Sequence, residues 1–222
     1  MRVAIDGREL CGCPTGVGRF LSHLLAAWAK LPEAREHEYL LYVPEGPLRL
    51  PPDLRVHTRV LPGASGTWWE QVRLASAVRR DCPDVLFCPA YTSPLAAGVP
   101  VVVALHDVSF LAHPEWFPAG SGLRRRLLAR LSARRAVSVF TISEFSRGEI
   151  AFRLRVARER VRVVPLAPGG PPAAPGLLRE PLVLYVGSIF NRRHLPELIA
   201  ACGKLALGHP EVRLEVVGED RT

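Results

Sequence analysis

Apolar residues along this chain gather into short runs separated by stretches with helical spacing. Val3–Ile5, Tyr39–Val43, Arg55–Val60, Val85–Cys88, Val101–Leu105, Val137–Ile142 and Val161–Val164 are short and mostly apolar, which predicts strands. Between Gly16 and Leu31, the residues Val17, Phe20, Leu21, Leu24, Leu25 and Trp28 recur every three or four positions, the stripe of an amphipathic helix. Further helices are predicted over Thr67 to Arg80, Leu123 to Arg135 and Ser143 to Leu154. Strands alternating with helices predict a mostly parallel sheet covered on both faces, an α/β domain of Rossmann-like type.

The texture changes at PLAPGGPPAAPGLLREP, residues 165–181, whose six prolines and three glycines can continue neither a helix nor a central strand. Strand–helix–strand then restarts. An apolar run from Leu182 to Val186 leads to a turn with Gly187, the pair Arg192 and Arg193, a helix, and a second run from Leu214 to Val217. We therefore expect a Rossmann-like domain over residues 1–165, a linker over 166–181, and the first βαβ unit of a second Rossmann-like domain over 182–222.

With 48% hydrophobic and 23% charged residues the chain has a globular composition. No stretch approaches the roughly 18 uncharged apolar residues of a membrane span. Arg2 and Asp6 make the N-terminus a first strand rather than a signal peptide, so cytoplasmic residence is expected. Five cysteines, including a lone Cys11-Gly-Cys13, form neither an even disulfide set nor a paired metal knuckle. The net charge of +8 is concentrated: residues 122–162 hold 12 arginines against three glutamates, while the remainder carries 17 basic and 18 acidic residues. Leu123–Arg135 reads as an amphipathic basic helix, either a solvated face or a surface for anionic lipid headgroups at the inner face of the cell membrane. No stacking aromatics or base-reading motif accompany the arginines, which argues against nucleic acid.

Four constellations carry candidate chemistry. Asp6-Gly7-Arg8 and Pro14-Thr15-Gly16-Val17-Gly18-Arg19 form a glycine-bearing loop after the first strand: a structural turn, or a place where backbone N–H groups approach a ligand. A third glycine is missing, and no acid stands a suitable distance beyond on a second strand, so a nicotinamide fingerprint is excluded. Val101–Leu105 delivers His106 and Asp107 to a strand end, where open α/β sheets bind ligands, although a lone histidine also serves as a satisfied core residue. Ser143 suits a helix N-cap. Arg192 and Arg193 sit where a strand hands over to a helix, either a solvated basic turn or guanidinium forks suited to a diphosphate.

This order of motifs resembles the retaining glycosyltransferases of family 4, which have the GT-B fold of two Rossmann-like domains. The matching stretches are AIDGREL…PTGVGRF, VVVALHDVSFLAHPEWF, TISEFSRGEIA, RVRVVPLAPGG and LYVGSIFNRRHLPELIAAC, ending in LEVVGED. The resemblance implies an N-terminal domain that binds the acceptor and a C-terminal domain that binds a nucleotide sugar. By the same resemblance Gly16, Val17 and Gly18 match the loop that approaches the donor diphosphate, and His106 matches the histidine set against the donor sugar. Arg192 and Arg193 match the basic pair that neutralises the leaving diphosphate, with Arg193 standing where lysine is commoner. Asp107 and Ser143 become candidates on the acceptor side. The implied reaction moves a hexose such as mannose or glucose to a glycan or lipid-linked acceptor with retention, needing neither cofactor nor metal. A later motif of two glutamates has no match before Thr222, so the expectation is a chain truncated within its donor domain and inactive alone. A non-catalytic α/β module binding nucleotide or anionic membrane is the alternative.

Overall fold

The computed structural model describes residues 1–12, 16–46, 48, 50–117, 119–167, 180–189 and 193–219. The chain divides into two compact units, Met1–Gly169 and Gly170–Thr222.

The first unit is built on seven parallel strands, in the order β3-β2-β1-β4-β5-β6-β7. These are β1 (Arg2–Asp6), β2 (Glu38–Val43), β3 (Val56–Val60), β4 (Val85–Cys88), β5 (Val101–Ala104), β6 (Ser138–Thr141) and β7 (Val161–Val163). Each of the seven expected runs forms a strand, and the α/β class is as expected. The central strands are apolar on both sides because both sheet faces are covered. Alternation divides them cleanly: Ala4, Leu86, Cys88 and Val103 join one core, while Ile5, Phe87 and Ala104 join the other.

Helix α1 (Gly16–Trp28) lays Leu21 and Leu25 into the second core, where Trp28 stacks on Tyr39 at 5.5 Å between centroids. Burying each leucine stabilises by about 1.5–3 kcal/mol. The expected helix reached Leu31, but α1 stops at Trp28. Leu31 precedes Pro32, the first residue of α2 (Pro32–Arg35), and adopts the extended backbone that a following proline imposes.

The helix expected over Thr67 to Arg80 is two-part: a π-helical segment, Trp69–Leu74, runs into α3 (Ala75–Asp81). The wider turn buries both Trp69 and Glu70, and Trp69 Nε1 donates to the Leu61 carbonyl at 2.7 Å. Short α4 (Ser109–Ala112), α5 (Ala119–Arg135) and α6 (Glu144–Leu154) follow. Helix α5 sorts its side chains by size. Its packed face is small, Ala129, Ser132 and Ala133, whereas Leu123 and Leu127 are 65% and 56% exposed among the arginines. Small side chains let α5 lie close enough for buried Ser132 Oγ to accept from the Ser93 N–H at 2.9 Å. No helix among the described residues is long and apolar enough to cross a membrane.

The second unit pairs β8 (Leu182–Val186) with β9 (Arg213–Val217) in parallel, joined by α7 (Leu195–Ala206).

Candidate functional site at the carboxyl edge of the sheet

In a parallel sheet all strands end on the same edge. Here β1 and β4 are neighbours in the sheet although β2 and β3 lie between them in sequence. The chain winds outward in opposite directions from this pair, which opens a crevice beyond the strand ends. Arg8 follows β1 there, and Tyr91 and Thr92 follow β4.

Arg8 is positioned by Gly7. A Cβ at Gly7 would come within 2.6 Å of Leu41 Cδ1, so glycine lets the chain turn this close to β2 without displacing the buried Leu41 and Val43 side chains. The Arg8 guanidinium then folds back on two buried carboxylates. Its Nη2 pairs with Glu70 Oε2 and stands 3.1 Å from Asp6 Oδ2. Thr92 Oγ1 donates to Glu70 Oε2, and Gln71 Nε2 donates to Glu70 Oε1 at 2.6 Å. Burial works against the Arg8 charge, but Asp6 and Glu70 outweigh it and hold its pKa above the ordinary arginine value. Among the described residues Arg8 Nε and Asp6 Oδ2 have no aligned hydrogen-bond partner.

Burial pushes Asp6 up to about 6 from 3.8, against the pull of Arg8 and with a smaller push from Glu70. Between these values native Asp6 keeps a proton that the unfolded chain has released, so stability falls as pH rises through the window. The loss is on the order of 3 kcal/mol and is complete above about pH 6. Asp6→Asn cannot titrate, so its stability relative to the parent protein is expected to rise from pH 4 to pH 7 in urea unfolding. Parallel pH profiles for the two proteins would contradict this.

His106, just past β5, is half-buried. Its Nε2 lies 3.1 Å from the Pro89 carbonyl, which can only accept, so Nε2 carries the proton and Nδ1 is the acceptor of the neutral ring. Burial lowers the pKa, outweighing the Pro89 carbonyl and Asp107, so the ring is neutral at pH 7. Its edge contacts are Phe20 of α1 at 4.9 Å and Tyr91 at 5.7 Å. Tyr91 holds a left-handed backbone, φ 65°, unusual for an aromatic residue, and donates to Asp107 Oδ2 at 3.2 Å. Asp107 Oδ1 accepts from the Ser109 N–H at 2.8 Å and from its hydroxyl at 2.6 Å. Ser143 caps α6 through the Ser146 N–H at 3.1 Å, and Ser146 Oγ donates to the His106 carbonyl at 3.3 Å. The local duties of Asp107 and Ser143 thus hold His106 and its neighbours in place.

Gly16, Val17 and Gly18 form the first turn of α1 rather than a loop before it. A Cβ on Gly16 would meet nothing within 4 Å, so the helix start faces open space. Val17 also lines a cavity of about 300 Å³ between Arg8, Glu70, Thr92 and the start of α5. Pro14, Thr15, Arg192 and most of the linker lie outside the described residues. Arg193, in the second unit, is exposed and reaches over Gly187: a Cβ there would sit 2.6 Å from Arg193 Nη1, and φ is 151°.

Sequence reasoning singled out Arg8 but missed Glu70, Tyr91 and Thr92. Glu70 lies in a segment whose helical pattern reads as surface, and only the π-helical turn carries it inward. The pairing of PAYTS with DGR across the sheet leaves no sequence signal.

The model of Glycosyltransferase Family 4 matches residues 14–167. No curated protein sequence matches the chain. Among solved structures, Anabaena Alr3699/HepE in complex with UDP aligns over 99% of this chain and 61% of its own, with 18% identity and a TM-score of 0.58. The same protein in complex with UDP-glucose gives 15% identity over 98% and 69%, with a TM-score of 0.53. The lipopolysaccharide outer core galactosyltransferase WaaB aligns over 98% and 68%, with 12% identity and a TM-score of 0.54. The chain therefore spans about three fifths of the length of the first of these, and at such identities the likeness is one of fold. With the family model covering most of its first unit, the chain belongs to Glycosyltransferase Family 4.

Proposed function

We propose that the protein moves a hexose such as mannose or glucose from a nucleotide sugar to a glycan or lipid-linked acceptor, with retention at the anomeric carbon. The observation that carries this reading is the convergence of the α1 start, His106 and the Arg8–Glu70 pair at the switch point of a family 4 sheet. Neighbours of the same fold hold UDP or UDP-glucose, which supports a nucleoside diphosphate donor.

In this reading the first unit receives the acceptor and Arg192 and Arg193 hold the donor diphosphate. The acceptor oxygen bonds to the anomeric carbon from the side the diphosphate leaves. The carbon–diphosphate bond breaks, and the acceptor proton passes to a diphosphate oxygen. The two guanidinium groups neutralise the charge that develops on the leaving group, so no divalent ion is required. His106, neutral and with Nδ1 as acceptor, hydrogen-bonds a donor-sugar hydroxyl. Assay of the full-length protein against a panel of nucleotide sugars tests the proposal. His106→Ala is expected to lower kcat/KM by about 10- to 100-fold. Release of no nucleoside diphosphate from any donor would sink the reading.

Exposed Leu123 and Leu127 among the arginines of α5 support a peripheral contact with anionic membrane at the cytoplasmic face. Co-sedimentation with phosphatidylglycerol vesicles is expected to weaken as salt rises. No binding even at low salt removes this contact.

A further inference from the structure

The cavity of about 300 Å³ at the β1/β4 switch point has a chemistry of its own. Its floor is buried Glu70 with the part-buried Arg8 and Thr92; Thr67 adds a hydroxyl to the wall, and the exposed Arg124 and Arg125 stand at the mouth. Three guanidinium groups face it against two carboxylates, Glu70 and Glu9. Glu70 is already engaged by Arg8, Thr92 and Gln71. Arg124 and Arg125, by contrast, have no side-chain partner among the described residues. The surplus of positive charge therefore sits at the mouth and the polar, hydrogen-bonding surface at the floor. Two further features mark a built site. Arg8 is 9% exposed with its Nε unpartnered, and both the π-helical segment and the left-handed Tyr91 border the same cavity.

We propose that this cavity takes a phosphorylated polyhydroxy acceptor, with the phosphate held between Arg124 and Arg125 and hydroxyl groups against Arg8, Glu70 and Thr92. This rests on the glycosyltransferase reading and adds the chemical class of the acceptor. The volume suits one sugar-sized unit. Guanidinium forks match phosphate oxygens, while Glu70 accepts from hydroxyls and Thr92 Oγ1, whose own proton goes to Glu70, accepts from them as well.

Calorimetric titration of the full chain with glucose 6-phosphate, with glucose as the uncharged control, tests the site without any donor or transfer step. Glucose 6-phosphate is expected to bind at least about tenfold more tightly than glucose. Arg124→Ala/Arg125→Ala should abolish that preference without altering the circular dichroism spectrum, whereas removing a remote exposed charge with Arg55→Ala should leave it intact. Monomeric dihexanoyl phosphatidylglycerol separates the two sources of such a phosphate. Tighter binding of this lipid, with the same loss in the double variant, supports a lipid headgroup; binding of glucose 6-phosphate alone supports a soluble sugar phosphate. Equal affinity for glucose and glucose 6-phosphate, no binding of either phosphate, or binding untouched by the double variant overturns the proposal. Because no nucleotide sugar is present, that failure is distinct from a failure to find a donor.

Discussion

Arg8→Met is expected to lower stability by about 3–5 kcal/mol, the usual consequence of removing one partner from a buried ionic cluster. Asp6 is fully buried and the Glu70 side chain is 1% exposed, and Arg8 is the cation they share. Methionine preserves much of the side-chain volume, so the loss isolates charge from packing. Without the guanidinium, the fully buried Asp6 and the nearly buried Glu70 lose the cation they share. Protonation then becomes the only relief, so the variant should recover part of its stability at acid pH. Combining Arg8→Met with Asp6→Asn and Glu70→Gln removes the stranded charges and is expected to regain most of the loss. Urea unfolding followed by circular dichroism reads all of these. If Arg8→Met unfolds within about 1 kcal/mol of the parent, the cluster is a solvated surface pair and the buried-floor description is wrong.

Arg193→Ala is expected to lower kcat of the full-length protein by about 10²–10³-fold, the range for deleting one group that stabilises charge in a transition state. Under the proposed transfer the effect should fall on kcat more than on KM, because that reaction places growing negative charge on a leaving diphosphate. Arg193→Lys keeps the charge and loses the fork, so an intermediate rate is expected. Gly187→Ala offers an independent route to the same site. Its methyl group would stand 2.6 Å from Arg193 Nη1 at a φ of 151°, forcing the guanidinium away while leaving its charge present. A glycine variant and an arginine variant that both slow transfer place the requirement on geometry. Unchanged kcat in Arg193→Ala would remove Arg193 from the reaction.

Elements were far more legible than their assembly. The strand-forming runs and the α1 stripe are local: a period of two or of three to four, terminated by a turn or by Pro32, suffices to predict each one. His106 was legible for the same reason, since a residue that ends a buried apolar strand in a parallel sheet must emerge at the ligand-binding edge. Ser143 as an N-cap follows from adjacent residues alone, and the structure has it so. Which face of α5 packs is not legible in the sequence, because it is chosen by closeness to the sheet. The small face Ala129–Ser132–Ala133 wins over a larger one that would hold the helix away.

By itself, then, the sequence determined the alternation of strands and helices, the parallel sheet it demands, and the positions at which His106 and Arg193 leave regular structure. These depend on contacts within a few residues of one another. Only the tertiary structure decided that β1 lies beside β4, bringing Arg8 to Thr92 and Glu70 across 84 and 62 residues of chain. Burial then decided the chemistry. Asp6 titrates near 6 and His106 stays neutral because the fold withdraws water from both, a property of surroundings rather than of residue type.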